Sequence, residues 1–142
     1  MDQPANHKSL SEIAGRMRDI DVAMLSTHTK GGKIGSRPMS NNGDVEYDGD
    51  SYYFTWDKSR MVSDIETDPN VSLAFQGKDG FFVAVEGKAE VSRDKERFRK
   101  HWQPEFDEWF ENGVDTKGVA MIKVHAERAT YWDGMEEGEV RL

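Results

Sequence analysis

Between Phe81 and Arg93 the chain alternates. Phe81, Val83, Val85, Gly87, Ala89 and Val91 fall on one side of an extended backbone, and Glu86, Lys88, Glu90 and Ser92 on the other. Successive side chains of a strand point to opposite faces, so the stretch reads as a long strand with one face buried and one wet. A strand wetted on one face belongs to an antiparallel sheet, and the rest of the chain has to supply its neighbours.

It does so at short intervals. Residues 118–132 alternate in the same way, Ala120, Ile122, Val124 and Ala126 against Met121, Lys123, His125 and Glu127. Residues 22–29 are β-prone and run into Lys30-Gly31-Gly32-Lys33, whose paired glycines supply the positive φ of a hairpin turn. A partner strand then covers about 33–41. Gly43-Asp44 marks the next turn, and Asp48-Gly49-Asp50 joins 45–47 to 51–56 as a second hairpin. Residues 71–75 form a further strand. Helices fill the gaps. Ser9 and Glu12 form a capping box ahead of Leu10, Ile13, Ala14 and Met17, giving a helix over about 10–18. Met61, Val62 and Ile65 define one at 59–67, stopped by Asp68-Pro69-Asn70. Phe98, Trp102, Phe106, Trp109 and Phe110 make a stripe along 94–111, where Pro104 kinks the helix or starts a second one. Six or seven closely spaced strands with peripheral helices predict a small antiparallel barrel. The expected organisation is one domain over 1–142, with mobile tails at 1–8 and 135–142.

Composition narrows the function. Lys plus Arg is 19 against 27 Asp plus Glu, a net charge of −8, which repels phosphate backbones and anionic membranes. With no cysteine, disulfides, thiolate metal sites and cysteine nucleophiles are excluded. The four histidines, at 7, 28, 101 and 125, share no metal-ligand spacing, and no metal is expected. There is no Walker, GxGxxG or GxSxG motif. No apolar run is long enough to cross a bilayer, and Met1–His7 lacks the pattern of a secretory signal; a cytoplasmic protein is expected.

Two segments carry chemistry. In Gly35-Ser36-Arg37-Pro38-Met39, Pro38 removes a ladder donor from a strand, so it belongs on an edge, at a bulge or where the sheet opens. An opening beside Arg37 suits a planar or anionic ligand; an ion pair between Arg37 and one of the many acids accounts for the segment equally well. In Phe54-Thr55-Trp56-Asp57-Lys58-Ser59-Arg60 a strand hands over to a helix, whose free amides and dipole favour an anion. Thr55 adds a hydroxyl, and Lys58 and Arg60 add charge. Asp57 or Ser59 also suits a plain helix cap, but a cap needs no flanking cations, which favours the phosphate site. The Trp102/Trp109/Phe110 stripe reads as core or dimer interface. Trp132 reads as packing, or as a lid over a ring bound by a neighbouring subunit.

Ser36-Arg37-Pro38-Met39, Phe54-Thr55, Ser59-Arg60, the Trp102–Phe110 segment and Tyr131-Trp132-Asp133, in this order, resemble the general stress protein family of FMN-binding split barrels related to pyridoxamine-phosphate oxidase. The resemblance covers about 10–133. It implies a six-stranded antiparallel split β-barrel homodimer with FMN in a groove between subunits. It also implies cofactor contacts from Ser36, Arg37, Pro38, Met39, Phe54, Thr55, Ser59, Arg60 and Trp132, with Ser59 and Arg60 on the phosphate. The sequence departs from the vitamin oxidases themselves: the Lys expected five positions after Arg37 is Asn42, and the basic C-terminal extension is missing. The resemblance therefore implies flavin redox chemistry, with reduced nicotinamide or another small molecule as redox partner, and not vitamin oxidation. A non-catalytic flavin carrier or sensor is the alternative, and a deazaflavin or haem would suit the same barrel. No residue is committed to acid–base work; His28 and Asp57 stand as candidates by elimination.

Overall fold

A computed structural model describes residues 8–41 and 47–142. His7, Asn42, the turn at Gly43-Asp44 and the strand arm expected before Tyr47 lie outside the described residues. Helix α1 (Leu10–Met17) starts as its capping box dictates: Ser9 Oγ accepts from the Glu12 amide, and the Glu12 carboxylate accepts from the Ser9 amide. Its Ile13, Ala14 and Met17 are buried. Strands β1 (Val22–His28) and β2 (Ile34–Ser40) are joined by Gly31 and Gly32 at φ of 86° and 77°, the hairpin the sequence predicts. Then come β3 (Asp50–Trp56), α2 (Arg60–Thr67), β4 (Asn70–Gln76), β5 (Phe81–Ser92) and α3 (Lys95–His101). Two 3₁₀ turns at Pro104–Glu108 and Gly113–Asp115 lead into β6 (Val119–Asp133) and β7 (Glu136–Arg141). Pro104 opens the first 3₁₀ turn, so it starts a new element rather than kinking a long helix.

All pairings are antiparallel, in the order β2-β1-β4-β5-β6-β3, with β7 also on β6. The described sheet has seven strands rather than six and does not close. The extra strand corrects the tail expected at 135–142. Residues 136–141 are acidic and show no apolar alternation, so pattern alone cannot reveal them. Backbone pairing with β6 holds them, and Val140 packs on the core. Tyr131 lies so close over Gly138 that any Cβ there would stand 2.3 Å from its hydroxyl.

The inner face of the sheet, with α1 and α2, forms the main core around Leu25, Leu73, Phe75, Val83, Val85, Ile122 and Tyr131. A second core lies outside β3 and β6, where Phe98, Phe110, Val119 and Met121 meet the rings of Phe54, Trp102 and Phe106. This second layer accounts for two breaks in the alternation. Ser92 and Met121 face outward yet are buried, because the α3 segment covers the sheet there. The parity of β6 also flips. Glu86 pairs with Arg128 and Gly87 with Ala126, leaving Glu127 unmatched in a bulge. Hence Ala120, Ile122, Val124 and Ala126 are buried and then Ala129 and Tyr131. At the bulge a Cβ on Gly87 would lie 2.1 Å from the His125 carbonyl oxygen, so only glycine fits.

Candidate functional site

Among the described residues β2 pairs only with β1, and β3 only with β6. The two free edges, the first turn of α2 and the Pro104–Glu108 turn border one groove of about 570 Å³, within the size range of small-molecule sites. Its walls include Met39, Tyr52, Phe54, Trp56, Phe106 and Trp109. Pro38 lies on an edge strand, opposite Met24, in a ladder that runs unbroken from Val22–Ser40 to His28–Ile34. The opening beside Arg37 is thus the bare edge of β2 and not a break within it.

Arg37 is where the two sequence alternatives meet, because it both lines the groove and pairs an acid. Arg37 Nη1 donates to Thr27 Oγ1 at 2.8 Å and to the Leu25 carbonyl at 3.3 Å. Its Nη2 lies 3.7 Å from Asp64 Oδ2, to which Thr27 Oγ1 also donates at 3.1 Å. Thr27 and Asp64 are buried. The guanidinium is pulled below its ordinary pKa by burial first, with Asp64 opposing and the charge of Arg60 adding to the fall. Even so, an arginine stays charged at any physiological pH. Arg60, at the start of α2, has no carboxylate partner among the described residues. One end of the groove therefore holds two guanidiniums against one buried carboxylate.

Ser59 caps α2, its Oγ accepting from the Val62 amide at 3.3 Å, so the plain cap is realised. The cap uses a lone pair and leaves the Ser59 O–H free to donate. The remaining first-turn amides have no partner within the helix. Thr55, half-buried opposite Ala120, lines the same groove.

Of the nine residues singled out, the groove brings together Arg37, Pro38, Met39, Phe54, Thr55, Ser59 and Arg60. Ser36 is not among them. Its hydroxyl bonds Ser26 at 2.6 Å, its partner in the β1 ladder. Trp132 is also absent. It sits twelve residues along β6 from Ala120, the partner of Thr55, a distance of roughly 40 Å at ~3.3 Å per residue. No single copy of the chain can place it in the groove. Phe54 lines the groove but is held edge-on by Phe98 and Trp102. Of the stripe expected in the core or at a dimer interface, Phe110 is buried and Trp109 is 65% exposed at the groove's rim. His28 is exposed at the end of β1, and Asp57 accepts from Arg93 Nε at 2.6 Å; neither lines the groove. Lys58 is exposed and does not line it either. Sequence reasoning missed Thr27, Asp64, Tyr52 and Tyr53. Asp64 did leave a signal, as an acid inside the apolar stripe Met61, Val62 and Ile65.

Residues 8–141 match the model of the family described as pyridoxamine 5'-phosphate oxidase like. The chain belongs to the pyridoxamine 5'-phosphate oxidase-like family. Its open seven-stranded sheet is the split barrel of these proteins. A protein of Clostridium acetobutylicum related to general stress protein 26 superposes with a TM-score of 0.81 at 17% identity, over 94% of both chains. General stress protein 26 of Bacillus anthracis gives 0.77 at 25% identity, over 94% of this chain and 98% of that one. The general stress FMN/FAD binding protein of Xanthomonas citri gives 0.73 at 21% identity, over 89% of each. Among curated relatives, protein bli-3 of Neurospora crassa is 23% identical over 134 residues, which are 87% of this chain and 64% of that protein. No helix among the described residues is long and apolar enough to cross a membrane.

Proposed function

We propose that the chain binds FMN in the groove between β2, β3 and α2, and serves as a flavin-dependent oxidoreductase drawing electrons from reduced nicotinamide or another small reductant. The observation that carries this reading is the charge imbalance at Arg37, Arg60 and Asp64. In a protein of net charge −8, a groove end with one uncompensated positive charge beside a helix N-terminus suits a phosphate. Arg60, the Ser59 hydroxyl and the first-turn amides would hold that phosphate. Met39 and the aromatic walls would take the apolar ring, and Arg37, braced by Thr27 and Asp64, would donate to a ring or ribityl oxygen. A bound flavin supplies the hydride or electron chemistry. The chain's part is to fix its position and keep water from it. The likeness to an FMN/FAD binding protein supports the same reading.

The reading includes a homodimer. The outer face of β1, β4 and β5 presents Met24, Ala74, Ala84 and Phe82 as an apolar patch, with Glu86, Lys88 and Glu90 farther along β5, and β5 places Phe82 opposite Trp132. A second copy packed on this face would bring its own Trp132 toward the groove, which explains how Trp132 could serve a cofactor it cannot reach within one chain. A non-catalytic flavin carrier is the second reading. It is favoured by one observation: among the described residues, the groove is lined by no carboxylate and no imidazole. The absorption spectrum of the purified protein tests flavin binding. Anaerobic mixing with NADH or NADPH separates the two readings: bleaching of the bound flavin supports the oxidoreductase, and an unchanged spectrum supports the carrier.

A further inference from the structure

A second cavity of about 450 Å³ adjoins the groove, sharing Tyr52, Tyr53, Phe106 and Trp109 with it. We propose that this cavity is a binding site for a planar organic cation bearing N–H donors, of the protonated aromatic amine or amidine class.

Three observations carry the assignment. The first is a pair of phenols on the cavity wall. Tyr53 is 4% exposed, and neither its hydroxyl nor that of Tyr47 has a hydrogen-bond partner among the described residues. A buried hydroxyl without a partner carries the full cost of its desolvation, so such groups are rare unless a ligand or water completes them. Burial pushes both phenols above their ordinary pKa; at Tyr47 the neighbouring Tyr53, Asp50 and Asp48 add to the rise, and at Tyr53 the nearby Ser51 opposes it. They remain neutral, with lone pairs to accept N–H donors.

The second is the charge of the lining. Among the described lining residues, five carboxylates, Asp21, Asp48, Asp50, Glu105 and Glu108, stand against two cations, Arg18 and Lys100. Asp50 already holds His125 at 2.7 Å and Lys123 at 4.0 Å, but Asp21, Asp48, Glu105 and Glu108 have no ion-pair partner among the described residues. His101 adds no compensating charge near neutral pH, because burial, then Arg97, Lys100 and Lys123, hold its imidazole below the usual value. The excess is negative, opposite in sign to the neighbouring groove, and it selects against a second phosphate. The third is shape. Tyr52 and His101 are stacked at 3.5 Å and 12°, which gives one flat wall, and Phe106 and Trp109 supply further ring faces. Aromatic walls with an acidic rim are the chemistry that holds organic cations.

Benzamidine and benzoate share a planar frame and differ in charge and in N–H donors, so they make the test. Both are titrated by calorimetry into the full chain, with and without FMN. Benzamidine is expected to bind in both cases and benzoate at least tenfold more weakly. Tyr53→Phe should weaken benzamidine by about five- to tenfold, the loss of one hydrogen bond. The Glu105→Gln/Glu108→Gln variant, altered only on an exposed turn, should weaken it several-fold and flatten its salt dependence. Equal binding of benzoate, or benzamidine unaffected by both variants, would overturn the assignment. So would stoichiometric competition between benzamidine and FMN, which would put the cation in the groove. A chain that binds benzamidine but no FMN would leave this inference standing and remove the flavin reading instead.

Discussion

Replacing Arg37 by alanine separates its two roles. Were it only a ligand contact on a surface strand, the ligand-free protein would lose little, since exposed ion pairs contribute ~0–1 kcal/mol. The structure says otherwise. Arg37 is mostly buried, donates to Thr27 Oγ1 and Leu25 O, and neutralises Asp64, whose side chain is 9% exposed. Removing it strands a buried carboxylate, and loss of one partner of a fully buried pair costs about 3–5 kcal/mol. The 3.7 Å separation, the partial exposure of Arg37 and the hydrogen bond Asp64 keeps from Thr27 reduce that figure, to about 1–3 kcal/mol. At this chain length such a loss lowers Tm by roughly 3–10 °C. Thermal unfolding of ligand-free protein at fixed concentration measures it. The Arg37→Ala/Asp64→Ala variant should recover part of the loss, because the orphaned charge goes with its partner. An unfolding curve for Arg37→Ala that superimposes on the parent, or a double variant whose losses simply add, would refute the coupled pair.

Arg60→Ala should lower FMN affinity by about one to two orders of magnitude, the worth of a charge-assisted bond of ~1.5–3 kcal/mol; riboflavin, which lacks the phosphate, should be indifferent in a fluorescence titration. Gly87→Ala forces a Cβ onto the His125 carbonyl and should cost at least ~2 kcal/mol in urea denaturation. Tyr53, pushed up to about 12 by burial, stays protonated where an unfolded tyrosine ionises. Its folded pKa is raised, so its contribution is intact below about pH 10 and is lost between there and pH 12. Tyr53→Phe should flatten this alkaline loss in pH-dependent unfolding. Trp132→Ala should weaken FMN binding and dimerisation together, by light scattering and titration, if a second copy supplies that ring.

What the sequence could reveal followed from how local each signal is. The capping box at Ser9, the turn at Gly31-Gly32, the α2 stripe and the alternation of β5 depend on neighbours a few residues away, and all appear in the fold. The groove residues of β2, β3 and α2 were legible as chemistry because edge proline, hydroxyls and basic residues crowd two short segments. β7 was hidden because its stability comes from backbone pairing to β6 and from Gly138 seating Tyr131, neither of which leaves an apolar pattern. The parity flip at Glu127 was hidden for a related reason, since a bulge is a property of two strands at once. Ser36 bonds Ser26 across the β1–β2 ladder, a pairing that becomes visible only once the register of those two strands is known. Asp64 and Thr27 come together with Arg37 only after β1, β2 and α2 have packed.

The central claim is that the uncompensated charge of Arg60, at the first turn of α2, binds the phosphate of a flavin. Parallel equilibrium titration of the ligand-free protein with FMN and with riboflavin, repeated at two salt concentrations, tests it most directly. The account predicts FMN binding at least tenfold tighter than riboflavin, with a preference that narrows as salt rises. Equal affinity for the two flavins, unchanged by salt, would contradict it.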